Sequence, residues 1–421
     1  MPLPEDATVV VSSPLNRVTS PATPGNIVPE VQDALLLHGP GQQYQIHKKH
    51  PVPRLVEETE VLVKTTAIGL NPIDWKAPDY NFGIPSFPFI SGRELSGTVC
   101  QVNAAGSRFS IGDQVIAIST DYRDYRKSAY QQYVLALEYN LVRIPKSISL
   151  DESASIGVAF VTSALALGVC LGIDFSNIFQ GPDLFTLVRS AGAAEIPDDV
   201  SRETLSSLEE HERAQPGDWL AVWGGSATSA NLTIQLARLV GLRVVVIVDQ
   251  AKHGSWISQH PAIRPDVLVD SQNAERAVEI IRASTGGKVR FAIDTRGRES
   301  ASHLLRALSA NVPATGTSLS PPSTPPQRPR NESRAHLVGL TGLPKEHIPS
   351  SVSLHTVPVK LFHEVAAVGR ALTSWLERLL EAGQISAPRI IDVEDGLERV
   401  NPALDRMRRG EISGGKLIVR V

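Results

Sequence analysis

Cysteine is nearly missing from this chain: only Cys100 and Cys170 occur in 421 residues. That excludes a disulfide framework and any C-x-x-C metal pattern, and it fits a reducing compartment. Each thiol reads as a small buried hydrophobe. An excess of charge of either sign is missing too. Lys and Arg number 41 against 44 Asp and Glu, a formal net charge of −3, and no dense basic block occurs. The electrostatic footprint of a nucleic-acid binder is therefore absent. The first 30 residues hold Glu5, Asp6, one basic residue (Arg17) and no apolar run longer than Val9-Val10-Val11, too little for a signal peptide or a membrane span. The expectation is a cytoplasmic protein with no membrane partner.

What is present is enough chain for two or three domains. Residues 1–30 are rich in Pro, Ser and Thr without periodicity, which predicts a disordered leader. From Ala34 to about Arg143 short β-type runs ("ALLLHG", "EVLVKTTAIGL", "SGTVCQV", "QVIAIS", "AYQQYVLAL") alternate with turns, a β-rich domain. Asp151 to Ile173 is small and apolar behind a capping residue and acids, as a buried helix would be. The polar, acidic stretch near 178–213 reads as an insertion, and the Pro/Ser-rich stretch 317–334 as a surface loop. Between and after them, strand-like "VVVIV", "DVLVD", "VRFAIDT" and "AHLVGL" alternate with helical text such as "NAERAVEIIRAST", the pattern of a doubly wound α/β sheet. Helical text from Val359 to Ala382 and a final strand in "SGGKLIVRV" follow.

Within that pattern "LAVWGGSATSANLTIQLARLVGLRVVVIVD" (Leu220 to Asp249) is a βαβ unit. Leu220–Trp223 is a strand, Gly224-Gly225-Ser226-Ala227-Thr228-Ser229 a tight small-residue loop, and Leu232, Leu236 and Leu239 mark a helix that Gly241 stops. Such a loop lets a pyrophosphate reach unpaired N–H groups and the positive end of the helix dipole. The glycine fingerprint is degenerate, since Ala227 and Ala230 stand where later glycines are expected, so a βαβ unit that binds nothing stays open on this loop alone. Asp249 ends the second strand, where an acid accepts the ribose hydroxyls and favours NADH. Lys252 and His253 supply positive charge for a 2′-phosphate, with Ser226 and Thr228 adding hydroxyls. If Asp249 caps the next turn, the basic pair decides for NADPH.

"AIGLNPIDWK", "PFISGRELSGTV", "FSIGDQVIA", "AYQQYVLALEYNLVRIPKSIS" and "GEISGGKLIVRV" together resemble, in order and spacing, the medium-chain dehydrogenase/reductase family over about residues 31–421. The resemblance implies a GroES-like β-rich catalytic domain (31–155), a Rossmann domain (156–344) and a return to the first domain (345–421). Its alcohol dehydrogenases carry a catalytic zinc; here Asn71 and Arg93 stand near two ligand positions, and an arginine cannot coordinate a cation. His47 and His50 read as surface residues, Glu94 as structural, and no metal is expected.

"NPIDWK" further resembles zinc-free quinone reductases and the enoyl reductases that serve polyketide synthases in trans. This implies NADPH-dependent reduction of a carbon–carbon double bond conjugated to a carbonyl, an enoyl thioester or an enone, with a polyketide synthase as partner. It places Lys76 and Thr162 beside the reacting atoms. Each keeps a plainer reading: Lys76 as a solvated lysine, Thr162 bonded back to its helix. Asp74 reads as a helix cap rather than a base, and Tyr122, Tyr125 and Tyr130 are rival proton donors to Lys76. The alternatives in function are a quinone reductase and, in another class, a dinucleotide-binding protein without catalysis.

Overall fold

The computed structural model describes residues 28–309 and 334–421. Most of the leader, and all of the Pro/Ser-rich loop except Arg334, lie outside the described residues. Folded structure begins with an antiparallel ribbon, β1 (Val31–Leu36) with β2 (Gln45–Pro51). The second of these strands escapes sequence reading because its "QIHKKHP" is almost wholly exposed and charged, with no apolar alternation. His47 and His50 both lie on it, at the surface.

The main β-rich sheet takes β3 (Glu60–Gly69), β4 (Glu94–Val102), β5 (Gln114–Ile118), β6 (Tyr133–Leu137) and β7 (Leu141–Arg143). Helix α1 (Pro72–Tyr80) follows β3, with Asn71 at its N-cap and Pro72 at its first turn. The apolar stretch after β7 is not one helix but three pieces: α2 (Leu150–Ser153), α3 (Gly157–Leu165) and a π turn, Ala166–Cys170. Ser149, rather than Asp151, caps the first piece, in a capping box with Glu152. Leu150–Cys170 is long and apolar enough to cross a membrane, yet 89 % of its apolar 18-residue window is buried inside the protein, so it is a core element. The insertion folds into α4 (Leu184–Ser190) and α5 (Asp198–Ser206), linked by a short 3₁₀ turn, Ala193–Glu195.

The α/β half follows: β8 (Trp219–Trp223), α6 (Thr228–Leu239), β9 (Arg243–Val248), α7 (Gln250–Gln259), β10 (Val267–Asp270), α8 (Ala274–Thr285), β11 (Phe291–Asp294) and α9 (Arg298–Ser309). After the second gap come β12 (Ala335–Gly339) and β13 (Val352–His355). All six strands are parallel, in the order β10-β9-β8-β11-β12-β13. The sheet thus takes in one strand beyond the boundary at 344 read from the sequence. Side chains alternate between two cores. Leu220, Val222, Val244 and Val246 face α3 and α6, while Ala221, Trp223, Val245 and Ile247 face α8 and α9.

Helices α10 (Leu361–Glu364) and α11 (Ala366–Glu381) lead to β14 (Ile390–Asp395), α12 (Val400–Arg408) and β15 (Lys416–Arg420). The final strand β15 re-enters the first sheet, whose order is β14-β15-β3-β4-β5-β7; β6 pairs with Glu60–Lys64 of β3, on the edge that β15 takes at Ala67–Gly69. Its first residue, Lys416, forms an ion pair with Glu94 of β4, both side chains being essentially inaccessible. The same carboxylate accepts Asn71 Nδ2 at 3.0 Å and the Val158 N–H of α3 at 2.9 Å. Removing one partner strands a buried charge, so Lys416→Met is expected to cost about 3–5 kcal/mol in denaturant unfolding. Adding Glu94→Gln removes the stranded charge and is expected to recover most of that loss; a double variant no more stable than Lys416→Met would contradict the pairing.

Candidate active site

In a sheet of this strand order the first crossover turns one way and the fourth strand starts the other, so a crevice opens at the carboxyl ends of β8 and β11. The loop after β8 meets the needs of that place. Gly224 has φ +82°, and a Cβ there would lie 2.2 Å from Thr295 Oγ1; one on Gly225 would lie 2.2 Å from Val246 Cγ1. Both N–H groups bond Ile247 O, at 3.0 and 3.2 Å, and Thr295 Oγ1 donates to Gly224 O at 3.0 Å. Helix α6 then starts at Ala227 with no side-chain cap, leaving its first-turn donors for a ligand. This cradle fits a dinucleotide pyrophosphate.

At the adenosine end, a small cavity is lined by Ser226, Asp249, Lys252, His253, Arg296 and Ser413, among others. Asp249 caps α7: its Oδ1 accepts the Lys252 N–H at 3.2 Å and its Oδ2 accepts Gln272 Nε2 at 2.9 Å. Its charge is therefore spent locally, and Lys252 Nζ stands 3.4 Å from it. His253, expected to supply positive charge, lines this cavity and is tied to the turn before β15. Burial pushes its imidazole below the usual value, Nε2 lies 2.8 Å from Ser413 Oγ, and the ring fills the space where a Gly414 Cβ would be. Arg296, which sequence reading missed, is the second cation here. It is exposed, lines this cavity and the neighbouring one, and pairs with no carboxylate among the described residues.

At the other end a cavity of about 680 Å³ is lined by Lys76, Thr162, Ala227, Thr228, Ser229, Leu340 and Leu343, among others. Lys76 is half-buried, its Nζ 5.6 Å from the Trp75 ring centre, and no acid pairs with it among the described residues. Thr162 of α3 lines the same space, and among the described residues its hydroxyl makes no hydrogen bond back to the helix. The tyrosines are elsewhere. Tyr130 is fully buried against Tyr44, Tyr125 is 48 % exposed, and Tyr122 packs on Arg93; none lines this cavity.

The residues at the family's metal positions do not fit zinc. Asn71 gives its amide to Glu94 and accepts Lys416 Nζ at 3.0 Å, so an ammonium already neutralises the carboxylate, and Arg93 offers only donors. Asp74 is confirmed as a capping side chain, its Oδ2 accepting the Asn71 N–H at 2.8 Å. Its Oδ1 is buried without a partner, and burial pushes the carboxyl up to about 6 against the pull of the Asn71 N–H and Arg93. A carboxyl raised in the folded state contributes stability that is complete below its unfolded value of 3.8 and is lost as pH rises through about 6. Asp74→Asn keeps the cap and removes this dependence, so its melting temperature is expected to fall less than the parent's between about pH 4 and pH 7. The difference at neutral pH is on the order of 2–3 kcal/mol, and parallel profiles would refute it.

The family model for the alcohol dehydrogenase GroES-like domain matches residues 57–146. The trans-enoyl reductase caaB of Aspergillus niger is 25 % identical over 406 residues, covering 95 % of this chain and 99 % of that protein. The trans-enoyl reductase mycC of Thermothelomyces thermophilus is 27 % identical over 425 residues, covering 93 % and 97 %. Among solved structures, a putative NADPH:quinone reductase from Bacillus thuringiensis superposes with a TM-score of 0.66 at 18 % identity, over 93 % of this chain and 99 % of that one. The CurK enoyl reductase does so with a TM-score of 0.64 at 16 % identity, over 92 % and 99 %. With a GroES-like sheet closed by β15, a six-stranded parallel sheet between its parts, and an ammonium and an amide where a metal would be held, this chain is similar over nearly its whole length to zinc-independent medium-chain dehydrogenases/reductases.

Proposed function

We propose that this chain is an NADPH-dependent reductase of carbon–carbon double bonds conjugated to a carbonyl, acting on an enoyl thioester in trans with a polyketide synthase. One observation carries the reading: the 680 Å³ cavity joins the dinucleotide cradle to Lys76 and Thr162 and is walled mainly by apolar side chains and backbone. The two full-length relatives named trans-enoyl reductases support the substrate class.

The loop Gly224–Ser229 would hold NADPH, which when bound would supply a hydride for the β-carbon of the substrate. Charge then gathers on the carbonyl oxygen, and an ammonium or hydroxyl aimed there stabilises it. Of the three cations lining the cavity, Arg298 and Lys345 are exposed and Lys76 is half-buried, so Lys76 is assigned this role, and it also holds a proton for the α-carbon. Thr162 donates its hydroxyl to the carbonyl or to the nicotinamide carboxamide. The apolar walls exclude water, which would otherwise compete for the enolate. Lys252 and Arg296 bind the 2′-phosphate, the two cations outweighing an Asp249 already engaged as a cap.

Oxidation of NADPH is expected with a simple enone and a crotonyl thioester, followed by loss of absorbance. Lys76→Ala is expected to lower kcat by about 10²-fold with little change in nucleotide affinity, and Thr162→Val by a smaller factor. No turnover on a broad enone, thioester and quinone panel by protein that binds nucleotide would sink the enzymatic reading, and preference for a quinone would replace the substrate class. For the cofactor, kcat/KM is expected to favour NADPH over NADH, and Lys252→Ala and Arg296→Ala each to raise the KM for NADPH about tenfold while sparing NADH. A parent enzyme that prefers NADH would overturn this assignment.

A further inference from the structure

Away from the cavity walls, three ligating side chains from three separate parts of the fold meet in the interior. Cys170 ends the π turn behind α3, Glu203 belongs to α5 of the insertion, and His355 ends β13. Cys170 and His355 are fully buried, and only the Glu203 side chain, 17 % exposed, touches solvent. One donor atom from each lies within 4.8 Å of the others. We propose that Cys170, Glu203 and His355 form a binding site for a soft divalent cation, with zinc as the fitting ion, that fastens the insertion to the edge of the parallel sheet.

The hydrogen-bond inventory of the surrounding groups is one argument. His355 Nδ1 is 2.7 Å from Glu203 Oε1, His355 Nε2 is 2.9 Å from His336 Nδ1, and His336 Nε2 faces Glu212 at 3.9 Å. Two neutral imidazoles carry two N–H groups, and this chain has three gaps with a carboxylate at each end. With one N–H kept in the 2.9 Å gap between the rings, neutral tautomers leave a lone pair facing one of the two carboxylates. Glu212 already holds Arg334 at 2.8 Å, and His336 Nε2 has no hydrogen-bond partner there. In the empty site the His355 Nδ1–H fills the 2.7 Å gap to Glu203; a cation that takes Nδ1 instead turns both N–H groups toward Glu212, the end at which His336 Nε2 has no partner.

Charge and geometry agree. A thiolate, a carboxylate and a neutral imidazole carry two negative charges, which a divalent ion cancels, so the loaded site is neutral in an interior that penalises net charge. Binding releases the Cys170 proton to solvent and leaves every oxidation state unchanged. Tetrahedral zinc sets its donors roughly 3.3–3.6 Å apart, within reach by closing the longest separation about 1 Å. The second Glu203 oxygen or a water from its exposed side supplies a fourth donor. His336 behind His355 is the outer partner that fixes the ring of a ligating histidine. Without metal, Glu203 is held by Ser207 Oγ at 3.0 Å and the Thr356 N–H at 3.4 Å, so the site persists unloaded.

This departs from the metal-free chain expected from the sequence, and its test needs no substrate. Full-length protein dialysed against chelator and titrated with cobalt(II) is expected to bind one equivalent and show a near-ultraviolet thiolate-to-cobalt charge-transfer band. Zinc(II) should displace it and raise the melting temperature. The band is expected to vanish in Cys170→Ala, and cobalt affinity to fall at least about tenfold in Glu203→Gln, a change on a half-exposed helix that keeps the fold if the first does not. No band in the parent protein, a band that survives Cys170→Ala, or unchanged affinity in Glu203→Gln would each overturn the site.

Discussion

The Glu94 carboxylate is the point on which the catalytic half is organised. It is fully buried and touches four segments: its own β4, the N-cap residue Asn71 of α1, the first-turn N–H of Val158 in α3, and Lys416 of β15. A buried ion pair is a weak source of stability, because desolvating both charges offsets most of their attraction. Its value here is directional. Helix α1 carries Lys76 and α3 carries Thr162, and one carboxylate fixes the start of both. An apolar replacement of equal volume would fill the space but would not specify the angle at which either helix enters the cavity.

The two halves are held by a second set of contacts. His253 of α7 reaches Ser413 in the turn before β15, so the adenosine end of the cradle is built partly by the returning chain. On the far side Thr120 Oγ1 meets His363 Nδ1 at 2.7 Å, Asn140 Nδ2 donates to Phe362 O at 2.9 Å, and Arg108 pairs with Glu377 at 3.1 Å. Burial pushes the His363 imidazole down to about 4, so it stays neutral in this contact across the physiological range. The crevice therefore lies between bodies tied at both ends.

What could be read from the sequence and what could not follows from the range of each interaction. Val244–Val248 announces a strand because both of its faces are buried, and the small residues from Gly224 to Ala227 announce a tight turn because nothing larger fits against Thr295 and Val246. Lys76 and Thr162 were legible through the resemblance, and the structure brings them to one cavity. The charged strand β2 gave no pattern, and β13, "VSLH", carries no apolar run because its two central residues are only partly buried. Arg296, Ser413 and the true role of His253 were invisible because they depend on segments up to 160 residues apart meeting at one spot. Asp249 shows the same limit in miniature: its residue type suited the ribose, and three residues of local geometry turned it into a cap.

The closure of the first sheet by β15 also sets a schedule. Lys416 follows Glu94 by 322 residues, so a chain leaving the ribosome holds the acid long before its counter-ion exists. At synthesis rates of about 5–20 residues per second, the wait is roughly 15–65 s. During that time β3 has an unpaired edge where β15 will lie, and the β-rich half cannot bury Glu94 without stranding its charge. The parallel sheet has all six of its strands between residues 219 and 355 and is synthesised within the wait. The six strands of the parallel sheet are thus all available for pairing before Glu94 gains its counter-ion.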